Sequence, residues 1–220
     1  MGICSRRSAD EFIAKGLVLV NGIVINQLGV KINPEVDKIT VLPELVEEIA
    51  NFRYILLYKP IGYVCTKSHL DGKNIFSLLP DIRNLTYAGR LDKDSHGLII
   101  LSNDGKFVYL VAGSEFAKEK EYIVKVNKPI TKNYLFWQSN GMIKLDGKLV
   151  KKALVKLIDD FTYSITLEEG INRQIRRMAE NQGYNVVDLK RIRIGTVTDV
   201  NLKPGQWRNL TVNEIETLRI

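Results

Sequence analysis

The sequence predicts an α+β protein in which helices flank a mixed, mostly antiparallel central sheet, with a small separate domain in front. Three observations carry that prediction. Apolar runs of strand length recur along the 220 residues, bounded by Gly, Pro and Asn turn signals. Segments with helical spacing are inserted among several consecutive strands, the arrangement expected of an α+β chain. Pro43 and the acidic stretch Glu44-Leu45-Val46-Glu47-Glu48 then divide a short N-terminal unit from a much longer one. The expected domains are residues 1–45, a linker at 46–51, and residues 52–220.

In the first unit, residues 5–15 read as a helix with Ser5 or Ser8 as N-cap and Ala9, Phe12 and Ile13 on one face. Gly16 supplies a left-handed C-cap. Leu17–Val20 and Ile23–Ile25 are strands joined by Asn21-Gly22, a strong hairpin signal, and Lys38–Leu42 is a third. The second unit opens with the apolar strand Tyr54–Tyr58, breaks at Lys59-Pro60-Ile61-Gly62 and resumes as Tyr63–Thr66. Further strands are expected at Thr86–Ala88, Gly97–Leu101, Glu121–Val126, Leu149–Ile158 and Thr162–Leu167. Helices are expected at Lys106–Val111, Thr131–Gln138, Asn172–Asn181 and Val212–Leu218.

Composition narrows the function classes. Hydrophobic residues make up 45% and charged residues 26%, the balance of a globular chain. No apolar run approaches the ~18 residues that span a bilayer, and the N-terminus lacks the apolar core of a secretion signal. The two cysteines, Cys4 and Cys65, are too few for a disulfide framework or a zinc site, which favours a reducing cytoplasm. Net charge is +7 and uneven: residues 1–51 hold five Lys/Arg against seven Asp/Glu (−2), the remainder 27 against 18 (+9). A basic body favours a polyanionic partner, of which nucleic acid is the commonest; a solvated lysine-rich surface would give the same composition.

The chemistry-bearing residues gather in Gly89-Arg90-Leu91-Asp92-Lys93-Asp94-Ser95-His96-Gly97-Leu98, a polar loop between strands with two carboxylates. A second cluster, Glu168-Glu169-Gly170-Ile171-Asn172-Arg173-Gln174-Ile175-Arg176-Arg177-Met178, places three arginines at the start of a helix with Asn172 as a plausible N-cap. Cations are unfavourable at that end of a helix dipole, so their placement makes sense where they face anions. An extended loop would send Asp92 and Asp94 to opposite sides, so one of them enters a pocket; spacing does not choose between them. Only His69 and His96 are present, not spaced as metal ligands, and there is no Walker loop or GxGxxG.

These segments together resemble the RNA pseudouridine synthases of the RsuA/RluB/RluE/RluF type. Gly89-Arg90-Leu91-Asp92 with Ser95, Gly97, Leu98 and Asn103-Asp104-Gly105 is similar to the family's signature loop, and Lys59-Pro60-Ile61-Gly62 to its first motif. Lys120-Glu121-Tyr122-Ile123-Val124 resembles the tyrosine motif, Glu169–Met178 the arginine motif, and Leu202-Lys203-Pro204-Gly205-Gln206-Trp207-Arg208-Asn209-Leu210 the closing motif. The resemblance runs from about residue 52 to 218 with all five motifs in order. The arginine motif with Gly183-Tyr184 is nearest to the RluF type, a large-subunit rRNA enzyme. Residues 3–42 resemble the α-L RNA-binding domain that precedes many of these enzymes. In the family a further helix stands before the segment matching Gly2–Arg7, and Met1 stands where it should end: either the domain is shortened or the chain lacks its true start.

The resemblance implies the pseudouridine synthase fold and isomerisation of a uridine within RNA, without redox change or cofactor. It assigns Asp92 as the catalytic carboxylate (nucleophile or base), Arg176 as its ion-pair partner and Tyr122 as the platform on which the base stacks. Asp94 is left a structural role in the loop. The nucleotide must be flipped out of the RNA, and Arg90 is the candidate to fill the vacated stack. Phosphate contacts are expected from Arg173, Arg177, Lys93, Arg191 and Arg193, and in the small domain from Arg6, Arg7 and Lys15; each could equally be an ordinary surface charge. Alternatives are a small-subunit rRNA or tRNA enzyme, a non-catalytic rRNA-binding assembly factor, and a hydrolase using Asp92 and Asp94 as an acid–base pair. A monomer is the expected state.

Overall fold

The computed structural model describes residues 6–43, 52–67, 72–82 and 85–220, leaving the side chains of residues 6–8 and 114 undescribed. Ser5, the acidic linker and His69 lie outside the described residues. The first unit is a helix α1 (Arg6–Ala14) followed by a three-stranded antiparallel sheet of β1 (Val18–Val20), β2 (Ile23–Ile25) and β3 (Ile39–Val41), ordered β2-β1-β3. Phe12 is the buried anchor of α1, and Ser8 falls within the helix rather than capping it. Gly16 (φ +72) ends the helical turn, and Asn21 and Gly22 both take the positive φ that a two-residue hairpin turn demands.

The second unit is built on a nine-stranded sheet with the path β10-β11-β7-β12-β6-β4-β14. Its strands are β4 (Tyr54–Lys59), β5 (Thr86–Ala88), β6 (His96–Ser102), β7 (Lys120–Val126), β10 (Leu154–Asp159), β11 (Thr162–Leu167), β12 (Val186–Ile194), β13 (Val197–Thr198) and β14 (Trp207–Asn209). A separate two-stranded ribbon comprises β8 (Lys144–Leu145) and β9 (Lys148–Leu149). Every pair is antiparallel except β12 with β6.

Strand alternation places the core. On β4 and β6, Ile55, Leu57, Ile99 and Leu101 face one apolar cluster with Phe76, Leu85 and Leu91. Leu56, Leu98 and Ile100 face the other side, against α2 (Gly105–Ala112) and α5 (Val212–Arg219) through Phe107, Val111 and Leu218. Both faces are covered, so these strands read as unbroken apolar runs. The other half of the sheet packs on α3 (Lys132–Ser139) and α4 (Gln174–Asn181) through Tyr134, Ile175, Met178 and Tyr163.

Four departures from the expected elements have local causes. The strand expected at Leu149–Ile158 is interrupted, because Val150 and Ala153 turn their amides to Ile143 and Ser139 of the preceding segment. Tyr63–Thr66 contributes a single bridge, Val64 to Asn74. Helix α4 starts at Gln174, with Arg173 in the left-handed region (φ 51) where Asn172 was expected as cap. The long strand β12 and the short β14 are additional to the expected set.

Candidate active site

The loop joining β5 to β6 is held from three sides. Gly89 turns it with φ +79, and Leu91 buries its side chain in the core. The Leu91 amide and carbonyl meet the buried Sγ of Cys65 at 3.5 and 3.4 Å. The Gly62 amide donates to the Lys93 carbonyl (2.8 Å), and the Ser95 amide closes a turn on the Asp92 carbonyl (3.1 Å). Beneath the loop, the fully buried Lys59 donates from Nζ to the carbonyls of Ser95 (2.6 Å) and Pro60 (3.1 Å). Burial pushes the Lys59 amine down to about 8.

Arg176 clamps the same loop from α4. Its side chain is 7% exposed; Nη2 donates to the Asp94 carbonyl (2.9 Å) and to Ser95 Oγ (3.2 Å), and Nη1 to the Val186 carbonyl (3.0 Å). Its Nε lies 3.3 Å from an Asp94 carboxylate oxygen, at ion-pair distance but without hydrogen-bond alignment. The ion pair expected between Arg176 and Asp92 is therefore formed with Asp94, whose main chain also lies nearest the guanidinium. The cation closest to Asp92 is Arg173, 3.8 Å away, which also donates to Asp94 at 3.2 and 3.4 Å. The left-handed conformation of Arg173, uncommon for a residue with a side chain, starts α4 beside this loop.

Above the loop opens a cavity of about 580 Å³, within the ~300–1,000 Å³ typical of small-molecule sites. Asp92, Tyr122, Arg90, Lys93, Arg173 and Arg191 all line it. Tyr122 is half-buried on β7, between Ile165 of β11 and Arg191 of β12 in the strand register, and packs against two of the core clusters. Arg90 and Lys93 are exposed at the mouth.

Other cations are placed differently from the expectation. Arg191 is 1% exposed, donating to the carbonyls of Leu98 (2.6 Å) and Arg90 (3.4 Å), so it sits at the base of the cavity rather than on a phosphate-facing surface. Arg177 points away from Arg176 and makes a double contact with Asp146 at 2.7 and 2.9 Å. Arg193 is engaged by Glu119 and Glu121. Lys15 is exposed just beyond α1, and the side chains of Arg6 and Arg7 lie outside the described residues. Lys59, Cys65 and Lys120 adjoin the site; the sequence reading quoted the two lysines inside motifs and weighed the cysteine for disulfide and zinc chemistry, but gave none of the three a place in the site. Lys120 could have been found from its position two residues before Tyr122, on the same strand face.

A cavity lined by Asp92, Glu168 and Glu169, with an aromatic wall and a rim of cations, can hold a flipped base and attack or deprotonate it. Comparison with known proteins identifies the chemistry. The family model for RNA pseudouridylate synthase matches residues 53–181, and the S4 domain model matches residues 1–37. The chain belongs to the RNA pseudouridylate synthase family. It is 40% identical over 216 residues to the dual-specificity RNA pseudouridine synthase RluF of Escherichia coli strain K12, covering 97% of this chain and 73% of that one. To the ribosomal small subunit pseudouridine synthase A of Haemophilus influenzae it is 33% identical, covering 97% and 94%. A solved pseudouridylate synthase superposes with a TM-score of 0.74 at 32% identity, covering 97% of this chain and 94% of the other. The pseudouridine synthase fold with an S4 domain, and the activity of isomerising uridine in RNA, follow from this membership. No helix among the described residues is long and apolar enough to cross a membrane.

Proposed function

We propose that the chain converts a uridine of large-subunit ribosomal RNA to pseudouridine, with Asp92 as the reacting carboxylate. The observation that carries the assignment is the asymmetry of the loop. Asp92 lines the cavity that Tyr122 walls, whereas Asp94 does not line it and turns to Arg173 and Arg176. A hydrolase that needs both carboxylates as an acid–base pair is thereby left without its second member. The large-subunit choice is supported by the higher identity to RluF than to the small-subunit enzyme.

In this reading Tyr122 stacks on the flipped base. Arg176 acts on Asp92 indirectly, by fixing the loop through Asp94 and Ser95. Arg90 reaches into the stack the base leaves, and Lys93 and Arg173 meet the flanking phosphates at the mouth. The small domain, residues 1–45, adds RNA affinity through Lys15, Arg6 and Arg7, joined by the linker at 46–51 to the catalytic domain of 52–220. The enzyme works as a cytoplasmic monomer, for which the free, buried thiol of Cys65 fits a reducing compartment.

Asp92→Asn tests the central assignment. Pseudouridine formation, mapped by carbodiimide primer extension on rRNA, falls on the order of 10⁴-fold or more, while RNA affinity stays near wild type. A variant that converts uridine at the wild-type rate overturns the role of Asp92.

A further inference from the structure

We propose that Arg191 and Lys120 form a cationic floor that stabilises the uracil as it detaches from ribose, given the uridine isomerisation established above. Tyr122 and Arg191 are direct cross-strand partners on β7 and β12, so their side chains leave the same face of the sheet. Lys120, two residues before Tyr122, leaves that face as well. The wall on which the base stacks is thus flanked by two positive charges, and both line the cavity.

Neither charge is balanced. Among the described residues no carboxylate lies within ion-pair distance of Arg191 or Lys120. Arg191 is fixed by its bonds to Leu98 and Arg90, yet its Nη2 is buried with no hydrogen-bond partner. Lys120 donates only to the Lys118 carbonyl (2.8 Å), and burial, followed by the charge of Arg191, pushes its amine down to about 8. A buried, unpaired donor and two uncompensated cations are costly, and sites that retain them are arranged for an incoming negative charge. Backbone phosphates are not that charge. Arg191 is 1% exposed, whereas Arg90 and Lys93, which line the same cavity, are exposed to solvent where a polyanion can reach them.

The reaction itself generates the anion. When the C1′–N1 bond breaks, its electron pair stays on the uracil and spreads over N1, O2 and O4, leaving C1′ electron-deficient beside Asp92. The base turns, C5 bonds to C1′, the C5 proton leaves and N1 takes up a proton; atoms and electrons balance without a co-reactant. Fixed donors aimed at charge that develops only during the reaction lower its barrier without tightening ground-state binding.

Single-turnover conversion of an rRNA fragment is measured for wild type, Arg191→Gln and Lys120→Met, with RNA affinity titrated separately at several salt concentrations. Arg191→Gln slows conversion about 100-fold and Lys120→Met at least about tenfold, as for loss of an oxyanion donor, with affinity and its salt dependence unchanged. Two results overturn the assignment: variants that convert uridine at the wild-type rate, or variants whose affinity drops with a salt slope reduced by about one, the mark of a lost phosphate contact. Should circular dichroism show that Arg191→Gln does not fold, the less buried Lys120 carries the same comparison. Wild type run on the same RNA separates the premises: an inactive wild type refutes the proposed large-subunit substrate, and an active wild type with an equally fast Lys120→Met refutes the cationic floor.

Discussion

The two carboxylates of the loop differ only in their neighbours. Asp94 takes the guanidinium of Arg173 and the Nε side of Arg176, while Asp92 keeps one cation at 3.8 Å and faces the cavity. Arg176 is the residue on which this division depends. Its planar fork serves three acceptors in different directions at once, the carbonyls of Asp94 and Val186 and the hydroxyl of Ser95. A lysine ammonium on a flexible stem cannot reproduce that spread. Arg176→Lys is therefore expected to lower unfolding free energy by about 1–3 kcal/mol, the worth of charge-assisted bonds lost from a buried site. Urea denaturation measures the loss, and single-turnover kinetics show a slower chemical step at unchanged RNA affinity, because the loop carrying Asp92 loosens. A variant as stable as wild type would show that the clamp is not structural. The sequence alone left Asp92 and Asp94 equivalent by spacing, since the tertiary position of Arg173 depends on a left-handed turn that no local pattern announces.

At the scale of elements, the candidate site hangs on the parallel joint between described strands of the sheet, where β12 lies beside β6 with Arg191 opposite Gly97. The approach there is too close for any side chain on β6. A Cβ at Gly97 would lie 2.7 Å from the Arg191 nitrogen and closer still to its carbonyl oxygen, and the glycine has φ +106. Gly97→Ala should cost upwards of about 3 kcal/mol through backbone collision and strain together, which thermal unfolding of the purified variant, or its failure to accumulate as folded protein, will show. A Tm near wild type would contradict the close approach. The neighbouring strands β4 and β6 were legible because each is an apolar run buried on both faces, with Ile55 and Ile99 on one side and Leu56 and Leu98 on the other. Strand β12 was not, although it is the longest. It carries Asp188, Lys190, Arg191 and Arg193 among nine residues, and a register shift between Arg191 and Arg193 breaks the alternation that would have revealed it. Burying Arg191 hides a core position behind a polar letter. The same residue was weighed as a phosphate contact for that reason.

Across the whole molecule, the buried cations give stability a distinctive dependence on pH. Lys59 and Lys120 are both held at about 8 in the fold against 10.5 in an unfolded chain, burial being the chief cause. Between those values the unfolded chain binds protons that the folded chain has released, so stability rises with pH through that window. Other groups act in the opposite direction but later. Burial raises the Cys65 thiol above its ordinary 9.0, and raises Tyr54 and Tyr134 to about 12 from 10.0, so the folded chain keeps protons that the unfolded chain loses above those ordinary values. The expected profile is a stability that climbs from about pH 8 to about pH 9 and turns down above about pH 10. Urea midpoints at fixed ionic strength trace it. In a Lys59→Met, Lys120→Met double variant the climb disappears while the alkaline fall remains, because the tyrosines and Cys65 are untouched. A wild-type midpoint that is flat from about pH 8 to 9 would mean that the lysines titrate as in the unfolded chain, and that burial does not set their charge. The two lysines titrate together for a reason rooted in the fold. One fixes the Asp92 loop from below through Ser95 and the other flanks Tyr122, so the instability they bring near neutral pH falls on the loop and strand that frame the candidate site.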